Sequence, residues 1–359
     1  MVRLRPEALR QLGTDLLLAV GVDRSDAELV ADHLVESGLL GHDTHSVLRL
    51  PQYVNMVREG VVDPSGQLVA LDESDYAARL SGSWNFGPVT AARAMEHALD
   101  KVEADGALAV VTVRDCNHIA RLGRFVAQAT RRSCIALMVA NGHGGDLAVA
   151  PFGGRARRLP TNPLCIGIPT GLEWPLVLDM TTSMTSGGDL RLLRNLGQSA
   201  PKGTIVDADG VPTTDVEKYY GPPPGAALPL GMPTSGHKGF GLSVLVDVLA
   251  GALSGAECSK ESCQRSGNAL FMAVLRVEAF RPLDAFFAEV QDFVARIKDC
   301  PTVEGVDEIL LPGENAYRHY VQRVERGLEV DPTAWQQIVD LSAELGVVPP
   351  SPLATNEQV

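Results

Sequence analysis

Residues 107–140, ALAVVTVRDCNHIARLGRFVAQATRRSCIALMVA, change hydrophobic period twice within one stretch. ALAVVTV at 107–113 and CIALMVA at 134–140 are uninterrupted apolar runs, too short for buried helices and the right length for buried strands. Between them Ile119, Leu122, Phe125, Val126 and Ala129 recur every three or four positions, the spacing of one helix face. Strand, helix and strand in this order predict an α/β core. LCIGIP at 164–169 and PLVLDM at 175–180 extend it.

Outside this core the texture is helical. Residues 5–38 carry Ser25 followed three positions later by Glu28, which predicts a capping box, and Leu29, Val30 and Leu34 continue an apolar face. Val47, Leu50, Tyr53, Val54 and Val57 predict a second helix over 46–58, stopped by Gly60. GTIVDADGVPTTD and GPPPGAALPLGMP form a Gly/Pro-rich stretch too long for an idle connection, expected to pack over a site or against a second subunit. GFGLSVLVDVLAGALSG at 239–255 is apolar on nearly every face and is expected to be largely buried. Residues 283–298 and 332–345 read as amphipathic closing helices, and the final SPLATNEQV as loose.

The chain has 359 residues, 45% hydrophobic and 21% charged, enough for a sizeable core and more than one core usually spans. A net charge of -13 opposes a phosphate backbone, so nucleic acid is not an expected partner. The start, MVRLRPEALRQL, lacks a signal-peptide core, and the most apolar later segment carries Asp247. No membrane association is expected, and the protein is read as cytoplasmic. The six cysteines form no CxxC pair, which speaks against a zinc site or a disulfide framework.

There is no GxGxxG after a strand, no Walker A sequence and no HExxH, so any cofactor must be held by another device. His42 and His45 stand in a turn without cysteine or carboxylate partners, so no metal is expected; Asp207 and Asp209 in DADG read as an ordinary turn. If Ser46 caps the helix, His45 lies just outside a helix N-terminus, where the dipole disfavours imidazolium and attracts anions. Arg49, one turn further on, can grip a carboxylate in two-pronged fashion. His118 repeats the placement: the strand ends near Arg114, and Asn117 is a natural N-cap. A single such histidine is more often structural, but two in matched settings at strand ends point to catalysis. Lys238 precedes a buried helix, where the dipole is unfavourable. It calls for an anionic neighbour such as a cofactor phosphate or Asp179, unless it simply points into solvent.

Taken in order, these segments resemble the type 2 malate/L-lactate dehydrogenase family over residues 6–346. Its SHGxxR turn corresponds to Thr44–Arg49 and its NHxGxxG segment to Asn117–Gly123. TNP at 161–163, LDMTTS at 178–183, DADGVPTTD at 207–215, HKGFGL at 237–242 and LPGE at 311–314 complete the series. The resemblance implies a non-Rossmann α/β fold, with a mixed-sheet cofactor lobe and a helical lobe formed by the two chain ends. It divides the chain into residues 1–72, 73–314 and 315–359. It further implies NADH or NADPH as cofactor and a homodimer that completes the active site. Carried over by position, His118 and His45 are the acid/base candidates, and Thr44, His45 and Arg49 face the substrate. Asn141, Asp179, Met180, Thr181, Lys238, Pro312, Gly313 and Glu314 line the cofactor. The sequence departs from the pattern at Ser46, Ala120 and Pro160, where glycines are usual. It departs also at Gly188 or Asp189, where a lysine is usual, and in NGHGGD at 141–146.

The implied reaction moves hydride between nicotinamide and a small 2-hydroxy or 2-oxo acid. It needs a proton carrier and a cation for the carboxylate, which histidine and arginine supply. Reduction of a cyclic imino acid, or a non-catalytic dimer on the same scaffold, are the alternatives. The choice between the two histidines, between NADH and NADPH, and of substrate and direction stays open at the level of sequence.

Overall fold

In a computed structural model describing residues 1–104, 106–144, 147–262 and 265–354, the chain is a mixed α/β protein whose two ends build one helical lobe. The N-terminal part runs β1 (Val2–Leu4), α1 (Pro6–Leu18), α2 (Arg24–Leu39), two 3-10 turns at Asp43–His45 and Val47–Arg49, and α3 (Leu50–Arg58). The sheet region follows as β2 (Val69–Glu73), β3 (Ala77–Ser81), α4 (Gly87–Ala104), β4 (Leu108–Cys116), α5 (Gly123–Thr130), β5 (Cys134–His143), β6 (Leu164–Ile168) and β7 (Leu176–Met180). Then come α6 (Gly187–Asn195), β8 (Ile205–Val206), β9 (Pro212–Thr213), α7 (Val216–Tyr220), β10 (Ala226–Ala227) and α8 (Gly236–Asp247), which continues as a π-turn at Val248–Ala252. The chain closes with β11 (Gly267–Arg276), α9 (Leu283–Lys298), α10 (Glu314–Arg326), β12 (Leu328–Val330) and α11 (Pro332–Leu345).

The main sheet has seven strands in the order β2-β3-β4-β11-β5-β6-β7. Only β3 and β4 are parallel, joined by the α4 crossover; the other neighbours are antiparallel. Both faces are covered, and the two-residue period shows how. Met138, Leu270, Met272 and Val274 pack with Ala94, Met95, Phe125 and Val126 of α4 and α5, whereas Val139 and Ala269 pack with Val246 and Ala250 of the α8 region. This double burial accounts for the uninterrupted apolar runs of β4 and β5. The helical lobe has its own core, in which Leu9, Leu16, Leu34, Leu50 and Tyr53 meet Leu328, Trp335 and Ile338 from the other chain end.

Several local expectations are corrected. Residues 5–38 are two helices separated at 19–23, because α1 ends at Ala19 and Gly21 takes a φ of 86°. Helix α2 begins at Arg24 with Asp23 as N-cap, so Ser25 already lies inside it and forms no capping box. The second helix starts at Leu50 rather than at residue 46. The Gly/Pro-rich stretch is not a bare loop: β8, β9 and β10 form a three-stranded sheet with Ile205, Val216, Tyr219 and Ala227 in a small core. The DADG turn closes the β8–β9 hairpin, with Asp207 Oδ1 accepting from the amides of Asp209 and Val211. One face of α8 is buried, but Leu242, Val244, Leu245, Val248 and Leu253 are exposed in the single chain, since the sheet can cover only one side of the helix. Among the described residues no helix is long and apolar enough to cross a membrane. Of SPLATNEQV, residues 355–359 lie outside the described residues, as do 145 and 146 of NGHGGD.

The two lobes are joined through a buried carboxylate. Asp26 of α2 is 3% exposed and accepts from Asn85 Nδ2 at 3.0 Å and from Arg93 Nη2 of α4 at 2.5 Å. Asp26→Ala strips this charge-assisted pair and is expected to cost about 2 kcal/mol. Urea unfolding of the purified variant measures the loss, and an unchanged midpoint would remove Asp26 from the junction.

Candidate active site

Three segments from different parts of the chain converge: the 3-10 turn 43–45, helix α3, and the irregular connection between β4 and α5. His118 lies in that connection. Asn117 does not cap a helix, because α5 begins only at Gly123, after Leu122. Its side-chain amide instead donates to the carbonyls of Trp84 at 2.5 Å and Asn85 at 3.1 Å, tying the end of β4 to the turn before α4. Gly87, the first residue of α4, sits so close that a Cβ would run into the His118 carbonyl. On the other side Asn268 of β11 accepts from Ile119 N at 3.2 Å and donates to Asn141 O at 2.9 Å. His118 therefore rests on backbone fixed from three directions.

The imidazoles of His45 and His118 lie parallel, centroids 5.9 Å apart and planes 7° apart. Tyr53, fully buried in α3, brings its hydroxyl to 3.1 Å from His118 Nδ1 and 3.3 Å from the His118 carbonyl. Thr44 Oγ1 lies 3.2 Å from His45 Nδ1. Arg49 donates from Nε to Thr44 O at 2.8 Å and from Nη1 to Gln52 Oε1 at 2.7 Å, so its guanidinium is held beside the same turn. Ser46 caps no α-helix; its hydroxyl donates to Asp43 O at 2.7 Å.

Burial, then the Arg49 charge, pushes His45 down to about 4; burial, Arg49 and His45 hold His118 well below its ordinary value. Both imidazoles are neutral at pH 7, but not through the helix N-termini expected from sequence. Desolvation of the cationic form is the main cause, and the neighbouring guanidinium adds to it. His42 is likewise lowered to about 4 by burial, with Arg121 and His45 adding. His33 stacks on Phe125 at 5.4 Å, fully buried, with neither ring nitrogen hydrogen-bonded among the described residues.

Beside this cluster runs a cleft of about 1180 Å³ between the β7 edge of the sheet, α5 and α10. Leu40, Gly41 and His42 line it, as do Arg121 and Gly123, each set a few residues from His45 or His118. Asp179, Pro312 and Gly313 also line it, whereas Asn141, Met180, Thr181, Lys238 and Glu314 do not. Asp179, at the end of β7, accepts from Gly123 N at 2.7 Å; burial raises its carboxyl, partly opposed by Arg121. The Asp179–Lys238 pairing considered from sequence is absent: Lys238 is exposed in α8 and has no ion-pair partner among the described residues. Gly313 has a φ of 91° and a Cβ there would come within 2.8 Å of Pro175 O, so only glycine fits. Glu314 is buried, bonded to Lys298 Nζ at 2.6 Å and to Arg318 Nη2 at 2.7 Å. Asn141 is fully buried, donating to Asp247 Oδ1 at 3.2 Å, and Thr181 donates to Ser183 O at 3.1 Å. Arg121, 7% exposed and with Nε unpartnered among the described residues, was not singled out from sequence; neither was Asn268. Tyr53 was read only as part of an apolar face, and nothing in its spacing announces a hydroxyl placed 65 residues away.

A covered mixed sheet with no glycine-rich dinucleotide loop lies outside the Rossmann class, and neutral imidazoles beside an arginine suit acid/base chemistry on an anion. The chain belongs to the malate/L-lactate dehydrogenase family, whose family model matches residues 4–339. It is 35% identical over 347 residues to the L-lactate dehydrogenase of Cupriavidus necator, covering 95% of this chain and 97% of that protein. With the L-sulfolactate dehydrogenase of Methanothermobacter thermautotrophicus it shares 32% over 355 residues, 96% of this chain and 98% of that one. The crystal structure of malate dehydrogenase from Entamoeba histolytica superposes with a TM-score of 0.91 at 26% identity, covering 97% and 99% of the two chains.

The imidazole chemistry predicts a pH effect on stability. A histidine held near 4 when folded and near 6.5 when unfolded contributes fully above about pH 6.5, and its contribution is lost as pH falls towards 4. For His45 this is roughly 3 kcal/mol. Urea midpoints at pH 7.5 and 4.5 are expected to separate further for the wild type than for His45→Gln. Equal separations would mean that burial does not keep this imidazole neutral.

Proposed function

We propose that the protein transfers hydride between a nicotinamide dinucleotide and a small 2-hydroxy or 2-oxo acid, as a homodimer. The observation that carries this reading is the Tyr53–His118–His45–Arg49 cluster, whose residues do not themselves line the cleft but lie close in sequence to His42 and Arg121, which do. At about 1180 Å³ the cleft exceeds what a small acid needs. Asp179, Arg121, Pro312 and Gly313 are the residues in it that would hold NADH or NADPH, and the buried, unpartnered Nε of Arg121 is a donor suited to an anionic or hydroxylic group. We extend the same role to Asn141, Met180, Thr181, Lys238 and Glu314 on the strength of the family resemblance alone. When bound, the nicotinamide supplies or takes up the hydride.

In this reading Arg49, oriented by Thr44 O and Gln52, binds the substrate carboxylate. His118 moves the proton. Burial keeps the Tyr53 hydroxyl protonated, with one proton to give; when it donates to Nδ1, the proton of the neutral ring stands on Nε2. In the oxidising direction the incoming 2-hydroxyl must therefore meet His118 in the tautomer that presents a lone pair, which a shift of the Tyr53 donation to the His118 carbonyl at 3.3 Å permits. In the reducing direction a proton has to be held on the ring. The substrate carboxylate helps here by offsetting the Arg49 charge that depresses the imidazole. His45, parallel to His118, is the second imidazole of the cluster. The exposed apolar side of α8, with Leu242, Leu245, Val248 and Leu253, supports association with a second copy.

His118→Ala is expected to lower kcat by a hundredfold or more while nicotinamide binding, followed by the fluorescence of NADH and NADPH, is retained. Arg49→Ala is expected to raise KM for the acid more than it lowers kcat. A folded His118→Ala protein with wild-type turnover would overturn the assignment, and a wild type that binds neither dinucleotide would overturn the function.

A further inference from the structure

Helix α6 leans on the candidate substrate turn. A Cβ built on Gly188 would lie 3.4 Å from Thr44 Cβ and 3.7 Å from Thr44 Oγ1, the oxygen that approaches His45 Nδ1 at 3.2 Å. The next residue, Asp189, is held by a capping box: its amide donates to Ser186 Oγ at 3.1 Å, while its Oδ2 accepts from Ser186 N at 3.3 Å and from Ser186 Oγ at 2.7 Å. Oδ1 has no hydrogen bond among the described residues, and the residue is exposed. The carboxylate is thus fixed in place, charged, and open towards solvent next to the turn that carries Thr44 and His45. Its charge is felt at His45, where it opposes the effects of Arg49 and Arg121. Asp43 on the same turn is paired with Arg323 at 2.6 Å, Arg121 faces Glu36 at 3.8 Å, and Arg191 lies two positions along α6, about 200° around the helix from Asp189.

We propose that Asp189 sets substrate class: the site takes 2-oxo or 2-hydroxy monocarboxylates with a neutral or cationic remainder and rejects dianions. The proposal rests on the reading that Arg49 binds the reacting carboxylate. With Arg49 on the reacting carboxylate, a second anionic group on a short substrate held against the Thr44–His45 turn meets the charge of Asp189, on the helix that rests on that turn. A hydroxyl or an ammonium there would instead find an acceptor in Oδ1. Like-charge exclusion of this kind is how a site discriminates substrates that share one reacting end.

The test compares kcat/KM for pyruvate, hydroxypyruvate and oxaloacetate in the wild type, Asp189→Asn and Ser186→Ala. The wild type is expected to favour the two monoanions over oxaloacetate by at least about tenfold, the scale of one unfavourable charge pair near a protein surface. Asp189→Asn, which keeps size and a capping acceptor, is expected to erode that preference mainly through KM for oxaloacetate. Ser186→Ala, which loosens the cap but keeps the charge, should leave the Asp189 contribution largely in place. A wild type that prefers oxaloacetate, or an Asp189→Asn variant with an unchanged ratio, overturns the proposal. If no acid is turned over, the functional reading fails on its own. Calorimetric titration with oxamate and tartronate then decides the inference separately: tighter tartronate binding by the wild type, or no gain in relative tartronate affinity on Asp189→Asn, overturns it.

Discussion

The site depends on the refusal of residues 117–122 to become helix. A helix starting directly after β4 would carry the His118 side chain away with its own turn. The Asn117 amide, spent on the carbonyls of Trp84 and Asn85, and the absence of a Cβ on Gly87 hold the backbone in an irregular crossing against the start of α4. Ala120 has a φ of 57° there, a left-handed conformation that costs a non-glycine residue roughly 1 kcal/mol. Such strain persists only where the surroundings over-determine it, and here Asn268 and the Asp179–Gly123 bond fix the segment at both ends.

Electrostatics follows from that placement. Four histidines and several arginines occupy one region, and burial without carboxylate partners leaves His45 and His118 neutral. The arginines elsewhere in the cleft are not so treated. Arg124 is bound by Asp32 at 2.8 Å and by Glu36, and Arg10 shares Asp32 at 2.7 Å, so their charges are cancelled inside the wall. Arg49 is oriented by the Thr44 carbonyl and the Gln52 side-chain amide, beside the turn that carries His45.

The sequence carries the strands of the core plainly, because two-sided burial writes itself as unbroken apolar runs. It carries β11 poorly. NALFMAVLR is rich in Ala, Leu and Met, residues at home in helices, and it becomes the central strand only because β4 and β5 leave a gap between them. The three N-cap candidates differ from the observed caps for separate reasons: Ser25 lies inside a helix whose N-cap is Asp23, the Ser46 hydroxyl is spent locally on Asp43 O, and the Asn117 amide is claimed by tertiary contacts. His45, His118 and Arg49 could be singled out by type and neighbours, and they do come together. Tyr53, Arg121 and Asn268 could not, since their importance lies in partners far away in sequence.

The departures from the family pattern fall into two kinds, and the structure separates them. Ala120 keeps the backbone angle that a glycine would supply, so the backbone path is kept there. At Gly188 and Asp189 the change is chemical. A small residue lets α6 rest on Thr44, and the charge of a carboxylate on that helix reaches His45. Proton transfer requires the fixed geometry of 117–123, but recognition of the rest of the substrate requires only a charge of chosen sign at the rim. A scaffold that is held rigidly at the first place and is free to vary at the second can change its substrate without disturbing the groups that move the proton.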